Sequence, residues 1–382
     1  MPDGGSSTHS LLEGPSQQSF HVQRFLVRNG LHTARQVGLR VGKWIGFIYG
    51  VRRPFDRAQD MLAAALAVRE GQAVAERREQ APAGESGSKL PHSKILNRMK
   101  RRGLRAGFLV LAPLLCLAVW AFWIEPASLR NETYRLGLER WPEHCSPLRV
   151  AVLADLHVGS PFNGIGKLER VVSTAQAAKP DLILLGGDFV IRSVLGGTFV
   201  EPEAIAPSLA RLSAPLGVYA VLGNHDWDFD APRVRAALES HRIPVLEDRA
   251  VVVSRGRCSF WLAGIGDYWW GRHDVRAALE PVPADAPVLA FTHNPDVFPD
   301  IPSRVVLTIA AHTHGGQVAL PFVGRPVIPS RYGQRYAIGH IVENGHDLFV
   351  TSGVGTSIIP VRFRVPPEVS VLDIVRVENT AS

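Results

Sequence analysis

Short apolar segments that end abruptly in polar side chains recur between residues 148 and 314. Runs of four to eight apolar residues bounded by glycine or polar residues are typical of strands that are buried on both faces. This pattern predicts strands at 149–154, 182–185, 218–222, 245–253 and 259–263. Helical patterns separate the first four of them, at 164–179, 203–212 and 231–241. Strands that alternate with helices indicate βαβ units, so we predict an α/β fold.

Polar side chains of the kind that bind metal ions follow these apolar runs directly. The runs lead into Asp155, His157, Asp188, Asn224 and His225, and two later runs end at His293, His312 and His314. Open α/β sheets bind ligands at the carboxyl ends of their strands. A lone histidine after a strand is usually an ordinary surface or core residue, but a core does not accommodate this many polar groups at one sheet edge. The pattern therefore predicts a metal site.

Five groups in this order resemble the calcineurin-like metallophosphoesterase superfamily, whose pattern is D-x-H, G-D, G-N-H-D/E, a lone H, and G-H-x-H. They stand here as Asp155–His157, Gly187–Asp188, Gly223–Asp226, His293 and His312–His314. The resemblance covers residues 149–376, which we take as the catalytic domain. Gly315–Pro321 and Gly353–Phe363 are similar to a membrane-associated bacterial branch that includes phosphodiesterases and lipid-precursor pyrophosphatases.

The resemblance implies a β-sandwich core flanked by helices and a centre with two divalent metal ions. It assigns to the first ion the ligands Asp155, His157, Asp188 and His314. It assigns to the second ion the ligands Asp188, Asn224, His293 and His312, with Asp188 as the bridge. This mixed oxygen and nitrogen set suits manganese, iron or zinc, and the sequence does not choose among them.

The resemblance also implies roles beyond metal binding. His225 is placed to protonate the leaving oxygen as a general acid, and Asp226 to orient the imidazole of His225. Arg362 is either a ligand of a substrate phosphate or a member of a surface salt bridge. The sequence departs from the family pattern at Ile191, where a second acidic residue is common, and at Ala311, which replaces a glycine. Neither change removes a metal ligand.

An uncharged apolar run of nineteen residues, Ala106–Ile124, precedes the domain. At ~1.5 Å per residue a helix of this length spans about 28 Å, close to the hydrocarbon thickness of a bilayer. We therefore predict one transmembrane anchor at 99–125, then a connector at 126–148 and a tail at 377–382. The residues before the anchor, 1–98, form a basic, partly disordered leader. They have no counterpart in the family pattern, and we expect them to be dispensable.

The charge pattern predicts the orientation of this anchor. Six basic residues lie between Lys94 and Arg105, whereas the arginines from Arg130 to Arg140 are interleaved with acids. Because basic residues accumulate on the cytoplasmic side, the catalytic domain is predicted to lie outside. A cleaved signal peptide is the competing interpretation, but no small-x-small site precedes Glu125. The net charge of +7 arises mainly before residue 106, so no nucleic-acid partner is expected.

Three cysteines do not define a disulfide framework. Cys145 and Cys258 form either a bridge or two ordinary buried thiols, and the sequence favours the thiols.

These observations predict a membrane-anchored phosphoesterase that hydrolyses a phosphodiester or pyrophosphate bond. Its substrate is predicted to be lipid-linked or part of the envelope. The first alternative is a UDP-2,3-diacylglucosamine hydrolase in lipid A biosynthesis, whose substrate is made on the cytoplasmic side. The second is a non-catalytic metal-binding scaffold.

Overall fold

The computed structural model describes residues 108–109, 111–270 and 273–378. The predicted leader, 1–98, and the start of the predicted anchor, 99–107, with its basic residues, lie outside these residues. The strands are β1 (Arg130–Leu138), β2 (Leu148–Leu153), β3 (Leu182–Leu185), β4 (Val218–Ala220), β5 (Arg249–Arg255), β6 (Cys258–Ile265), β7 (Val288–Thr292), β8 (Leu307–Ala310), β9 (Gly339–Glu343), β10 (His346–Val350) and β11 (Glu368–Arg376). The helices that follow β1 are α1 (Ile165–Ala177), α2 (Pro202–Leu209), α3 (Asn224–Phe229), α4 (Ala231–Glu239) and α5 (Val275–Leu279).

The strands form two sheets. The first has the order β1-β11-β2-β3-β4, and the second has the order β5-β6-β7-β8-β10-β9. In the first sheet β2, β3 and β4 run parallel, and in the second β6, β7 and β8 do the same. The sheets are joined by one core cluster that contains side chains from both. The predicted mixed α/β fold with two packed sheets is therefore confirmed.

Strand β2 shows how the two-residue period of a strand builds this layered core. Val150 and Val152 pack into the cluster between the sheets, whereas Ala151 and Leu153 pack into a second cluster with helices α1, α2 and α4. Successive side chains of a strand point to opposite faces of the sheet. A strand covered on both faces must be apolar at every position, which is why this strand appears in the sequence as an uninterrupted apolar run.

The predicted connector at 126–148 differs from the structure. Strand β1 occupies most of it and pairs in parallel with β11 at the edge of the first sheet. Its burial alternates between exposed and buried positions, and Leu136 and Leu138 reach the core between the sheets. The polar, charged positions of this edge strand concealed it in the sequence, because only one face of it is covered.

The chain enters the domain through a helical segment. Residues 111–119 are α-helical, Trp120–Ile124 form a π-helical turn, and Glu125–Ala127 complete the segment. Within the described ranges, no helix meets the length and hydropathy required to cross a bilayer. The end of the segment is fixed to the domain, because Pro126 O accepts a hydrogen bond from the buried Lys167 Nζ at 2.7 Å.

Cys145 and Cys258 form a disulfide. The preference for two separate thiols was therefore wrong. The bridge joins the short 3₁₀ turn before β2 to the start of β6, so it links a segment beside the first sheet to a strand of the second. The choice between a bridge and two thiols could not be made from the pattern, because the two cysteines lie 113 residues apart and meet only in the folded domain.

Candidate metal centre

The predicted ligands converge at the carboxyl ends of the parallel strands. Asp155 and Asp188 follow β2 and β3 of the first sheet, while His293 and His312 follow β7 and β8 of the second. Asn224 begins α3 in the turn after β4. The packing of the two sheets brings these loops to one place, where all seven predicted ligands are buried.

Three groups of side chains place their ligand atoms within 4.8 Å of one another. They are Asp155 with His157 and His314, His157 with Asp188 and His225, and Asp188 with His293 and His312. The first and third groups fall within the two ligand sets that the resemblance assigned to separate ions. Asn224 joins the second set, because its Oδ1 lies 3.2 Å from His293 Nε2.

Asp188 occupies the position expected of a bridging carboxylate. Its Oδ2 atom lies 3.2 Å from His157 Nε2, a predicted ligand of one ion, and 3.3 Å from His293 Nε2, a predicted ligand of the other. Its Oδ1 atom accepts a hydrogen bond from the backbone N–H of His225 at 2.8 Å. A single carboxylate therefore faces both ligand sets while the backbone holds its second oxygen.

Hydrogen bonding fixes which nitrogen of His293 faces the centre. Its Nδ1 lies 2.7 Å from the carbonyl oxygen of Gly186, which can only accept a hydrogen bond. Nδ1 therefore carries a proton, and Nε2 is directed at the carboxylates. Such a carbonyl contact is the usual way in which proteins orient a histidine ligand and select its tautomer.

The charges of the centre suit a cation. Burial lowers the pKa of His312 and of His314 well below the usual value, so both imidazoles are neutral and have a lone pair to donate. Burial raises the pKa of Asp155 to about 7, against the opposing charge of His293. Although burial opposes it, the Asp188 carboxylate raises the pKa of His293 to about 10. A cation must displace that proton, so metal affinity is expected to fall as the pH is lowered.

Buried polar atoms without hydrogen-bond partners are a further indication that this set of donor atoms fits two divalent cations. Asp155 Oδ2 and His157 Nε2 are buried and have no hydrogen-bond partner among the described residues. Buried polar atoms without partners are costly and rare in folded proteins, and an ion is one of the accepted explanations. Borderline ions such as zinc, manganese and iron accept this combination of imidazole, carboxylate and amide oxygen.

The backbone of the ligand loops was not foreseen from the sequence. Asp155, His157, Asp188, His312 and His314 all have positive φ angles, between 40° and 68°. Residues other than glycine rarely adopt this left-handed conformation, which costs on the order of 1–3 kcal/mol where the surroundings enforce it. Five of the seven predicted ligands are therefore held in sparsely populated conformations, as often occurs at functional sites.

Glycines allow the ligands to approach the backbone closely. A Cβ atom on Gly223 would lie 2.3 Å from Asp188 Oδ1, and one on Gly353 would lie 2.5 Å from Asp155 Oδ2. Gly353 also has a φ of 65°, which favours glycine. These two positions explain why glycine stands beside the carboxylates. Gly353 lies in the loop after β10, which sequence analysis had linked to the family branch but not to the metal ligands.

His225 lies at the mouth of the centre. Its ring is half-buried and packs edge-on against His157 with ring centroids 5.0 Å apart. Its Nε2 lies 3.5 Å from the hydroxyl of Ser357, a residue that sequence analysis missed. Burial lowers the pKa of His225, with the Asp188 carboxylate acting in the opposite direction. The position beside both the centre and solvent is compatible with proton donation to a leaving group.

Asp226 does not orient His225, as the resemblance had suggested. Its Oδ2 accepts hydrogen bonds from the backbone N–H groups of Asp188 and Gly223, and its Oδ1 from those of Phe189 and Val190. Residues 225 and 226 are consecutive in helix α3, and side chains at i and i+1 of a helix do not face each other. The carboxylate instead ties the loop after β3 to the turn after β4.

Asp226→Asn is therefore expected to destabilise the domain. Either orientation of the amide turns an N–H donor towards two backbone N–H donors, which leaves two buried groups without acceptors. We expect a loss of about 2–6 kcal/mol in the free energy of unfolding, at roughly 1–3 kcal/mol for each of the two unsatisfied groups. Urea denaturation measures this loss, and Asp228→Asn, an exposed position on the same helix, is the control. An unchanged midpoint for Asp226→Asn would contradict the assigned role.

Arg362 is bonded to the chain itself, so neither the predicted phosphate contact nor a surface ion pair describes it. The side chain is fully buried, and its guanidinium donates to the carbonyl oxygens of Ser352, Gly353, Gly355 and Val365. Its Nη2 lies 3.5 Å from Nδ1 of the ligand His314. Arg362 therefore holds the loop that packs against the ligands, a role that the sequence pattern alone does not reveal.

Comparison with known proteins points to one family. The model of the calcineurin-like phosphoesterase family matches residues 148–320. The phosphodiesterase YaeI of Escherichia coli is 33% identical over 257 residues, which cover 66% of this chain and 90% of YaeI. The UDP-2,3-diacylglucosamine pyrophosphatase LpxG of Chlamydia trachomatis is 24% identical, with coverage of 56% of this chain and 77% of LpxG.

Solved structures also match at low identity. A hypothetical protein of Thermus thermophilus matches with a TM-score of 0.35 and 19% identity. The match covers 55% of this chain and 78% of the Thermus protein.

Proposed function

The chain belongs to the calcineurin-like metallophosphoesterase family, and we propose that it hydrolyses a phosphodiester or pyrophosphate bond of a lipid-linked substrate at a membrane. Membership makes it a metal-dependent phosphoesterase with a centre for two divalent cations. The observation that carries the catalytic part of the proposal is the position of Asp188 Oδ2 between the two ligand sets. The scaffold alternative is set aside, because the complete ligand set and the family both indicate an enzyme.

Side chains of the protein have two roles in the proposed reaction, which are cation binding and proton donation. Divalent cations, when bound, would supply charge stabilisation for the phosphoryl oxygens and a water of lowered pKa as the nucleophile. The residues that would hold them are the seven predicted ligands Asp155, His157, Asp188, Asn224, His293, His312 and His314. His225 donates a proton from Nε2 to the oxygen of the departing group, which avoids the expulsion of a strongly basic alkoxide. Ser357 Oγ, near Nε2, is placed to orient that imidazole before transfer.

The helical segment supports the membrane part of the proposal. Its large apolar side chains are exposed at many positions, among them Phe108, Leu111, Leu115 and Trp123. Monomeric soluble proteins rarely expose a continuous apolar surface of this kind. We propose that the chain is anchored there by a single pass, and that the substrate is accordingly lipid-linked or part of the envelope.

The Cys145–Cys258 disulfide supports an extracytoplasmic catalytic domain. Disulfides persist in oxidising compartments such as the bacterial periplasm and are rare in the cytosol. This agrees with the orientation predicted from the basic residues between Lys94 and Arg105. The second candidate function, cleavage of UDP-2,3-diacylglucosamine, is favoured by the similarity to LpxG but requires a domain on the cytoplasmic side.

A reporter fused to the C-terminus separates these two possibilities. Alkaline phosphatase is active only outside the cytoplasm, whereas green fluorescent protein exported in an unfolded state does not fluoresce. We expect phosphatase activity without fluorescence, because basic residues near a span set its orientation. Fluorescence without phosphatase activity would reverse the proposed topology and favour the UDP-2,3-diacylglucosamine candidate.

The proposed activity is tested by hydrolysis with the full chain and manganese, iron or zinc. The substrates are bis(p-nitrophenyl) phosphate, phospholipids in vesicles and UDP-2,3-diacylglucosamine. We expect metal-dependent cleavage of the soluble diester and of a lipid substrate. The absence of metal-dependent cleavage with every substrate would refute the proposed activity, while cleavage of soluble substrates alone would refute its lipid-linked part.

A further inference from the structure

Three loops beside the metal centre expose apolar side chains to solvent. They span residues 192–199, 317–327 and 357–361, and together we name them the apolar rim. Their exposed apolar side chains include Leu195, Leu320, Phe322, Val323, Ile358 and Ile359. Phe322 is fully exposed at the tip of its loop. Several exposed apolar side chains on adjoining loops, rather than one alone, are a feature of interaction surfaces.

The three loops are connected to one another by hydrogen bonds. The N–H of Leu195 donates to Ile358 O at 3.0 Å, which joins the first and third loops. The side chain of Gln317 donates to Ser357 O at 3.2 Å, which joins the second and third. The apolar rim is therefore a single continuous structure.

The apolar rim also borders the reacting groups. Gln317 lies three residues after the ligand His314, and the second loop follows directly from it. In the third loop, the hydroxyl of Ser357 lies 3.5 Å from His225 Nε2. A surface held by the apolar rim would thus lie next to the proposed general acid.

The apolar rim is continuous with the exposed helical segment at the entrance to the domain. The N–H of Arg362, one residue after the third loop, donates to Ala121 O at 2.9 Å. The N–H of Val365 donates to Glu125 Oε1 at 2.7 Å. The proposed membrane anchor and the apolar rim therefore meet at the same edge of the domain.

The charges of the apolar rim complement lipid headgroups. The three loops contain no aspartate or glutamate. The exposed Arg192 lies at the start of the first loop, and the exposed Arg364 lies just beyond the third. Apolar side chains accompanied by arginines are typical of protein surfaces that lie in the interface of a bilayer, where the cations meet phosphate groups.

We propose that the apolar rim docks on the surface of a lipid bilayer and holds the metal centre at the depth of the headgroups. This inference rests on the proposed lipid-linked substrate and deepens it. Phe322 and Val323 enter the boundary between headgroups and acyl chains, while Arg192 and Arg364 contact phosphates. A phosphoester bond in a lipid headgroup then reaches the centre without leaving the membrane.

The test measures docking independently of catalysis, with the full chain reconstituted in vesicles of phosphatidylcholine and phosphatidylglycerol. Cys116 is exposed and the other two cysteines are bridged, so Cys116→Ser provides a background without free thiols. Phe322→Cys is then labelled with the environment-sensitive fluorophore NBD. Val342→Cys is the control, on the edge strand β9 of the second sheet.

The label at position 322 is expected to shift its emission to the blue in vesicles and to be quenched by lipids with brominated acyl chains. The label at position 342 is expected to do neither. Equal behaviour at the two positions would overturn the proposal. A blue shift that depends on protein concentration and not on lipid would also overturn it, in favour of a contact between copies of the chain.

A second measurement connects docking to activity. Val323 and Val342 are both 63% exposed, so Val323→Ser and Val342→Ser remove matched side chains. We expect Phe322→Ser with Val323→Ser to lower hydrolysis of a lipid substrate in vesicles by about tenfold, through lost burial of apolar surface. Hydrolysis of bis(p-nitrophenyl) phosphate should be unchanged, and Val342→Ser should affect neither substrate. Equal losses of activity with the lipid and the soluble substrate would contradict docking. If the wild-type chain hydrolysed neither substrate, the proposed function would be refuted, but the fluorescence test of docking would still be valid.

Discussion

Asp188→Ala should abolish hydrolysis and release both metal ions. The Asp188 carboxylate faces both ligand sets through one oxygen, so its removal takes a negative charge from each ion at once. Asp155 is then the one carboxylate left among the predicted ligands, so too little negative charge remains to balance two divalent cations. Enzymes typically accelerate reactions by ~10⁶-fold or more, and we expect this variant to lose on the order of that factor.

Elemental analysis of the purified protein measures the metal content directly. The wild-type protein should hold two ions per chain and Asp188→Ala close to none. Asp300→Ala, an exposed aspartate beyond the centre, is the control and should keep both ions and full activity. Two tightly bound ions in Asp188→Ala would show that another group forms the bridge.

His225→Ala should keep both metal ions and slow turnover by ~10²–10⁴, the usual contribution of a general acid. The imidazole lies beside Ser357 and is not among the seven predicted metal ligands, although its ligand atom lies within 4.8 Å of those of His157 and Asp188. Its removal leaves the oxygen of the leaving group to depart unprotonated. The size of the loss should therefore depend on how basic the leaving group is.

A series of phosphodiesters with different leaving groups tests this dependence. For nitrophenyl esters, whose leaving group needs little protonation, the loss in kcat should be small. For alkyl esters the loss in kcat should approach the full factor of ~10²–10⁴. His340→Ala removes an exposed histidine that pairs with Asp347 and should change kcat for neither class of ester. Equal losses across the series would show that His225 has a role other than that of a general acid, and loss of an ion would show that it binds metal.

The sequence predicted the strands that carry the ligands because they are buried on both faces. Strand β3 was placed at Leu182–Leu185, as found, and β2 began and ended one residue away from its prediction. The carboxyl ends of such runs are defined by the first polar side chain. This is why the positions of the ligands after the strands could be derived from the pattern alone.

Side-chain direction and long-range contacts were beyond the sequence pattern. Asp226 was expected to contact His225, its neighbour in the chain, yet the helix turns it towards the loop after β3. Arg362 was expected to bind a substrate phosphate or to form a surface salt bridge, yet its guanidinium donates to four carbonyl groups of one loop. Strand β1 escaped prediction because only one of its faces is buried. Each of these features depends on groups that meet only after the sheets have packed.

The order of strands in the first sheet has a consequence for the timing of folding. The last strand, β11, lies between β1 and β2 and pairs with both. The first sheet therefore cannot be completed until residue 376 has been synthesised. Strands β1 and β2 are synthesised early, but each pairs with β11, which is synthesised last. Contacts of such large sequence separation slow folding, because the entropy of loop closure is lost before the contacts form. A chain truncated before β11 would leave β1 and β2 with unpaired edges, which favour aggregation.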